Sequence, residues 1–163
     1  MATTLKSTGM GMPLVGLGGA RVLIIEARYY EGISDALVQG AIEVLEEAGV
    51  EYDRIAVPGA LEIPQALLAA CDEDDEEYDG AIALGCVIRG ETSHYETVCN
   101  NANHWLMHVA IDLGLPVGNA ILTVENEEQA WARARGGKAG KGGDAARACL
   151  ALVEITQRYA GIG

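Results

Sequence analysis

The residue types suited to acid–base chemistry on a small anion concentrate in residues 85–96, GCVIRGETSHYE. His94 is the side chain there whose ordinary titration range lies nearest neutral pH. The stretch follows an apolar run, Ala81-Ile82-Ala83-Leu84, which reads as an interior parallel strand. It leads into a helix whose start is marked by Ser93 and, three residues on, Glu96, the spacing of a capping box. Between them Gly90 lets a ligand approach the main chain. Strand end, glycine turn and helix N-terminus together offer free N–H groups to an anion such as phosphate. His94, in the first helical turn, would stand close enough to a bound phosphate to move protons around it. A solvated helix-start histidine is the plain alternative, and spacing does not separate the two.

The elements that must position this stretch alternate strand with helix. Arg21 to Ala27 is a short β-branched strand, followed by a helix with Ile33, Leu37, Ala41, Val44, Leu45 and Ala48 at helical spacing, ended by Gly49. Tyr52 to Val57 is the second strand, closed by Pro58-Gly59, and Glu62 to Cys71 is a helix with Pro64 in its first turn. The third strand is followed by a long helix from Ser93 to Leu113, ended by Gly114 and Pro116. Val117 to Val124 is the fourth strand, Glu127 to Arg135 a helix, residues 136–142 a glycine loop and Gly143 to Tyr159 the last helix. This alternation predicts an α/β fold: a four-stranded parallel sheet with helices on both faces. Ligands bind such sheets beyond the carboxyl ends of the strands. Arg28-Tyr29-Tyr30, Gly59 to Glu62, Cys86 to His94 and the polar residues around Asn119 are expected to converge there.

Composition bounds the reading. The 163 residues make one domain, expected as residues 21–163, behind a Gly-rich N-terminal arm over 1–20 that is mobile or partner-bound. The arm has only Lys6 as a charge and no continuous apolar core, so it does not read as a signal peptide. No apolar run approaches membrane-span length, and a cytoplasmic enzyme is the expectation. A net charge of −13 argues against a nucleic-acid partner. Seven of the acids lie in one run, Asp72 to Asp79, read as a solvated loop. Five of the eleven basic residues fall between Arg133 and Arg147, a cluster suited to an anionic ligand. Cys71, Cys86, Cys99 and Cys149 lack paired spacing and are expected as buried thiols. His104 and His108 are four apart on one helix, but without a third ligand they do not predict a metal.

Five ordered motifs carry a resemblance: ARYY at 27–30, PGALEIP at 58–64, GCVIRGETSHYE at 85–96, ILTVENEEQA at 121–130 and KGGDAA at 141–146. Together the chain from about Arg21 to Tyr159 resembles the 6,7-dimethyl-8-ribityllumazine synthase family of riboflavin biosynthesis. The resemblance implies a flavodoxin-like three-layer αβα sandwich. It also implies a transferase that condenses 5-amino-6-(D-ribitylamino)uracil with 3,4-dihydroxy-2-butanone 4-phosphate, without cofactor or metal. Tyr29, Ala60, Leu61, Glu62, Cys86, Val87, Ile88 and Asn119 would hold the pyrimidine, with Tyr29 against its ring and Glu62 on the ribityl chain. Glu91, Thr92 and Arg133, helped by Lys141, would take the phosphate, and His94 would transfer protons. Sites in the family are shared between neighbours in a pentamer, so Asn119, Arg133 and Lys141 would reach into a neighbour's pocket. Riboflavin synthase is a further candidate partner. Family members often carry Phe at position 29, Asn at 30 and Phe at 119, where this chain has Tyr, Tyr and Asn. A non-catalytic flavin- or lumazine-binding paralogue and a shell protein are the competing functions.

The long helix speaks to assembly on its own. From Thr97 to Ile111 it has no Asp, Glu, Lys or Arg, whereas a helix with a solvent face normally carries charge there. Val98, Ala102, Trp105, Leu106 and Val109 are expected against the sheet. Thr97, Asn101, His104 and His108 form the seam of a second helix contact. These spacings, with the resemblance, predict a homo-oligomer built on a five-fold ring; the separation of Arg133 and Lys141, similar to that of capsid-forming family members, implies further closure to a sixty-subunit shell. Protonating the clustered histidines is expected to weaken the ring below about pH 6.

Overall fold

The computed structural model describes residues 17–71 and 77–160. Residues 1–16, most of the expected arm, and 72–76, most of the acidic run, lie outside the described residues. Four strands, β1 (Arg21–Ala27), β2 (Glu51–Val57), β3 (Gly80–Ile88) and β4 (Val117–Val124), form one all-parallel sheet in the order β2-β1-β3-β4. Five helices connect and flank them: α1 (Glu31–Glu47), α2 (Ile63–Ala70), α3 (His94–Leu113), α4 (Glu127–Ala134) and α5 (Lys141–Tyr159). The result is the parallel sheet with helices on both faces expected from the alternation, and the flavodoxin-like αβα sandwich that the resemblance implies.

The two faces of the sheet divide the core. Val22, Ile24, Ile82, Leu84, Ala120 and Leu122 point to one side and pack with α1, α4 and α5. Leu23, Ile25, Ala81, Ala83 and Ile121 point to the other and pack with α2 and α3. This is the period-2 alternation of a strand with both faces covered. Leu17 and Ala20, just ahead of β1, are already buried in the first of these clusters.

Glycine sets how closely α5 can dock. A Cβ on Gly142 would collide with the carbonyl oxygen of Leu37, and one on Gly118 with that of Ala145. The main chains of α1, β4 and α5 therefore approach closer than any side chain allows. The last helix accordingly starts at Lys141, two residues earlier than its spacing predicts, because Gly142 and Gly143 pack as helix residues.

Three further expectations change. β3 runs through Cys86, Val87 and Ile88, so these are strand residues and the loop begins at Arg89. Ser93 makes no side-chain cap and already has helical dihedrals. Its intended partner Glu96 is drawn instead to Arg89, at 3.6 Å. Trp105, expected on the sheet, is 48 % exposed, and the buried face of α3 is Val98, Cys99, Ala102, Leu106 and Ala110. Trp105 packs edge-on against the rings of both His104 and His108, at 5.0 and 5.2 Å, and those two rings stack on each other at 6.2 Å.

β2 is an edge strand, and it carries its charges there. Arg21 donates to Asp53 at 3.1–3.2 Å, Tyr78 Oη donates to Asp53 at 2.7 Å, and Arg54 pairs with Glu26 at 2.8 Å. Among the described residues no helix is long and apolar enough to cross a membrane.

Candidate active site

The chain leaves β1 on one side to form β2, then crosses back to form β3 on the other side of β1. The carboxyl ends of β1 and β3 are thus a topological switch point, where the connections diverge and leave a crevice. A cavity of about 470 Å³ opens there, with Tyr29 and Tyr30 after β1, Pro58 to Glu62 after β2, Cys86 to Ile88 on β3 and His94 on α3. Tyr29 is 75 % exposed, and its ring meets that of Tyr30 edge-on at 4.9 Å. Ala60 to Glu62 form a single 3-10 turn. Gly59 leaves room for the Glu62 carboxylate, since a Cβ there would lie 3.3 Å from Glu62 Oε1. Cys86 is 9 % exposed, and burial pushes its thiol up to about 11. At neutral pH it is a protonated, weakly polar wall rather than a nucleophile.

The loop between β3 and α3 is braced from outside the cavity. Arg89 donates its backbone N–H to the Val124 carbonyl at 2.9 Å. Its guanidinium pairs with Glu125 at 2.9 Å and lies 4.5 Å from the centroid of the Tyr95 ring. The His94 N–H is donated to Thr92 Oγ1 at 3.3 Å. The His94 imidazole lines the cavity, is exposed, and has no hydrogen-bond partner among the described residues. Gly90 has open space where a Cβ would stand. Glu91 is exposed and does not line the cavity, whereas its neighbours Gly90 and Thr92 do.

The structure does not bring the remaining expected residues to this crevice. Asn119 sits near the start of β4, paired with Ala83, rather than at a carboxyl end. Its side chain donates to Asn103 Oδ1 and accepts from the Ile121 N–H, both at 2.8 Å. It lines a second cavity of about 440 Å³ with Arg133 and Lys141, which shares no residue with the first. The basic cluster also divides. Lys138 pairs with Glu47 at 2.8 Å, Arg147 with Asp144 at 2.9 Å, and Arg135 stacks on Trp131 at 4.9 Å. Arg133 and Lys141 remain on the second cavity, Lys141 with Asp144 at 3.6 Å. Two wall residues, Tyr95 and Val98, were not expected at the site, and Val98 was expected only against the sheet. Their signal is helical spacing, since His94 and Val98 are one turn apart.

The sequence profile described as 6,7-dimethyl-8-ribityllumazine synthase matches residues 19–157. The chain belongs to the 6,7-dimethyl-8-ribityllumazine synthase family. Among relatives bearing that name, the Agrobacterium fabrum protein is 54 % identical over 86 % of this chain and 97 % of its own. The Azorhizobium caulinodans protein is 51 % identical over 97 % and 98 %. Rhizobium meliloti 6,7-dimethyl-8-ribityllumazine synthase 1 is 54 % identical over 84 % and 92 %. The region matched to the 6,7-dimethyl-8-ribityllumazine synthase profile contains both cavities entire. Among the described residues, no three His, Cys, Asp or Glu side chains are grouped to hold a metal ion.

Proposed function

We propose that this chain condenses 5-amino-6-(D-ribitylamino)uracil with 3,4-dihydroxy-2-butanone 4-phosphate to give 6,7-dimethyl-8-ribityllumazine, phosphate and water. The observation that carries this reading is the switch-point cavity, with aromatic, carboxylate and imidazole groups on separate elements, in a chain of this family. In it Tyr29 faces the pyrimidine ring, Glu62 accepts from the ribityl hydroxyls, and Ala60, Leu61, Cys86, Val87 and Ile88 wall the ring. The loop main chain at Glu91 and Thr92 takes the phosphate at the start of α3. The primary amine attacks the ketone and one water leaves as the imine forms, phosphate is eliminated, the ribitylamino nitrogen closes the ring on the second carbonyl and a second water departs. His94 carries the protons, a contribution typically worth about 10²–10⁴ in rate. Holding two reactants in register contributes up to roughly 7–11 kcal/mol more.

The separation of Arg133, Lys141 and Asn119 from this cavity supports a site completed by a neighbouring copy. Their second cavity then closes over the phosphate in the first cavity of the adjacent subunit. We accordingly infer a homo-oligomer built on a pentamer, with closure to sixty subunits as its larger form. A cytoplasmic location and riboflavin synthase as partner belong to the same reading. The test supplies both substrates and follows lumazine absorbance with released phosphate. One phosphate per lumazine is the expected result. A chain that binds the pyrimidine yet yields no lumazine overturns the reaction.

A further inference from the structure

Arg28 does not line the first cavity, yet two pieces of that cavity's wall, Tyr29-Tyr30 and the turn at Pro58, are tied through it. Its backbone N–H is donated to the Val57 carbonyl at 2.9 Å, which seats the end of β2 just before the Pro58-Gly59 turn. Its guanidinium folds over the three residues joining β1 to α1. Nη1 donates to Glu26 Oε1 at 3.1 Å and to Ser34 Oγ at 3.3 Å, and Nη2 donates to Asp35 Oδ1 at 2.7 Å. Glu26 is 4 % exposed and is gripped from the other side by Arg54, at 2.8 and 2.9 Å. One end of the clamp is therefore anchored in the core, the other on the first turns of α1.

This clamp matters because little else fixes the turn. α1 has no side-chain cap at Tyr30. Tyr29 projects into solvent with Tyr30 as its ring neighbour, so its direction follows the backbone of residues 28–30 rather than packing. A planar guanidinium with donors on both nitrogens can hold a carboxylate on each side at once, which an ammonium cannot do with the same geometry. We propose that Arg28 is a positioning residue for the pyrimidine substrate: bridging Glu26 and Asp35, it fixes the turn that presents Tyr29 to the ring. The inference rests on the reading of Tyr29 given above. His94 stands on a different element, so the clamp governs binding of the flat ring and not proton transfer.

The test uses the full chain with Arg28→Gln, Arg28→Lys, Asp35→Asn and the double variant Arg28→Gln/Asp35→Asn. Glu26 keeps Arg54 in all four, so no buried carboxylate is orphaned. Arg28→Gln is expected to raise KM for the ribitylaminouracil about tenfold, the scale of a lost charged hydrogen bond. Asp35→Asn should raise it about threefold, as its carboxylate is largely exposed. Arg28→Lys should fall between them, and the double variant should be no worse than Arg28→Gln alone, because both remove one clamp. Turnover, KM for the butanone phosphate and thermal midpoint should stay near those of the parent. An unchanged pyrimidine KM in Arg28→Gln overturns the proposal. So does a joint fall of turnover, both affinities and thermal midpoint, which marks general structural support. A parent that makes no lumazine overturns the reaction instead, and calorimetric titration of the pyrimidine into parent and Arg28→Gln then decides the clamp: equal affinities refute it.

Discussion

His94 and Glu96 show what a residue's neighbours add to its type. The spacing of Ser93 and Glu96 suits a capping box, but Glu96 has a guanidinium 3.6 Å away and turns to it. A charged partner outbids a backbone N–H, and the partner, Arg89, is placed by β3. His94 escapes such capture and keeps a free imidazole on the cavity. His94→Gln is therefore expected to lower turnover by about 10- to 10⁴-fold, with substrate affinity little changed. Steady-state kinetics with both substrates check it, and turnover equal to the parent would reduce His94 to a helix-start residue. Tyr29 and Glu62 were legible from sequence because each comes shortly after a clear strand, and Cys86 because it continues the apolar run of β3. Asn119 is the third residue of β4, so the strand's direction already sets it toward the amino end, away from the crevice where its polarity had grouped it.

Elements were the most legible scale, since periodicity and punctuation agree along the chain. Gly49, Gly114 and Pro116 end helices where expected, and β4 has the bounds its sequence predicts. Less legible was the start of α5, because glycines chosen for close docking look like loop residues. Gly118→Ala tests that reading: its Cβ would meet the Ala145 carbonyl, which cannot rotate away. We expect a loss of about 3 kcal/mol, the upper end for overpacking, in chemical denaturation. The β1–β2 edge makes a pH prediction. Hydrogen bonds from Arg21 and then Tyr78 hold the Asp53 carboxyl below the usual carboxylate range. A depressed value stabilises the fold above the unfolded value and is lost as pH falls through the folded one. Asp53→Asn should thus lower the thermal midpoint at pH 7, and the gap to the parent should begin to close as pH falls below about 4. A gap that persists at acid pH would refute the assignment.

At the scale of the whole molecule, the two cavities divide the expected site, a division that the family resemblance implies and that residue spacing alone does not show. Arg133 and His94 look equally close to phosphate on paper, and only the folded sheet separates them. If neighbours complete each other's sites, inactive His94→Gln and Arg133→Ala chains refolded together should regain activity. In a random equal mixture about a quarter of sites would draw both native residues. No recovery in co-refolded, co-sedimenting particles would place each site within one chain. Sedimentation of the parent at micromolar concentration supplies the companion measurement, and a monomer there would sink the ring.

The sheet order has one more consequence, for the chain as it is made. β1 lies inside the sheet, yet its second neighbour, β3, is synthesised only after residues 58–79. At about 5–20 residues per second, the ribosome needs seconds to supply it. During that interval β1–α1–β2 can already pair, leaving Val22 to Ile25 with one open apolar edge. The opposite edge, on β2, carries Glu51, Asp53 and Arg54, side chains that deter a stray strand. The nascent unit is thus guarded on its outer border and open only on the inner one, where β3 will arrive.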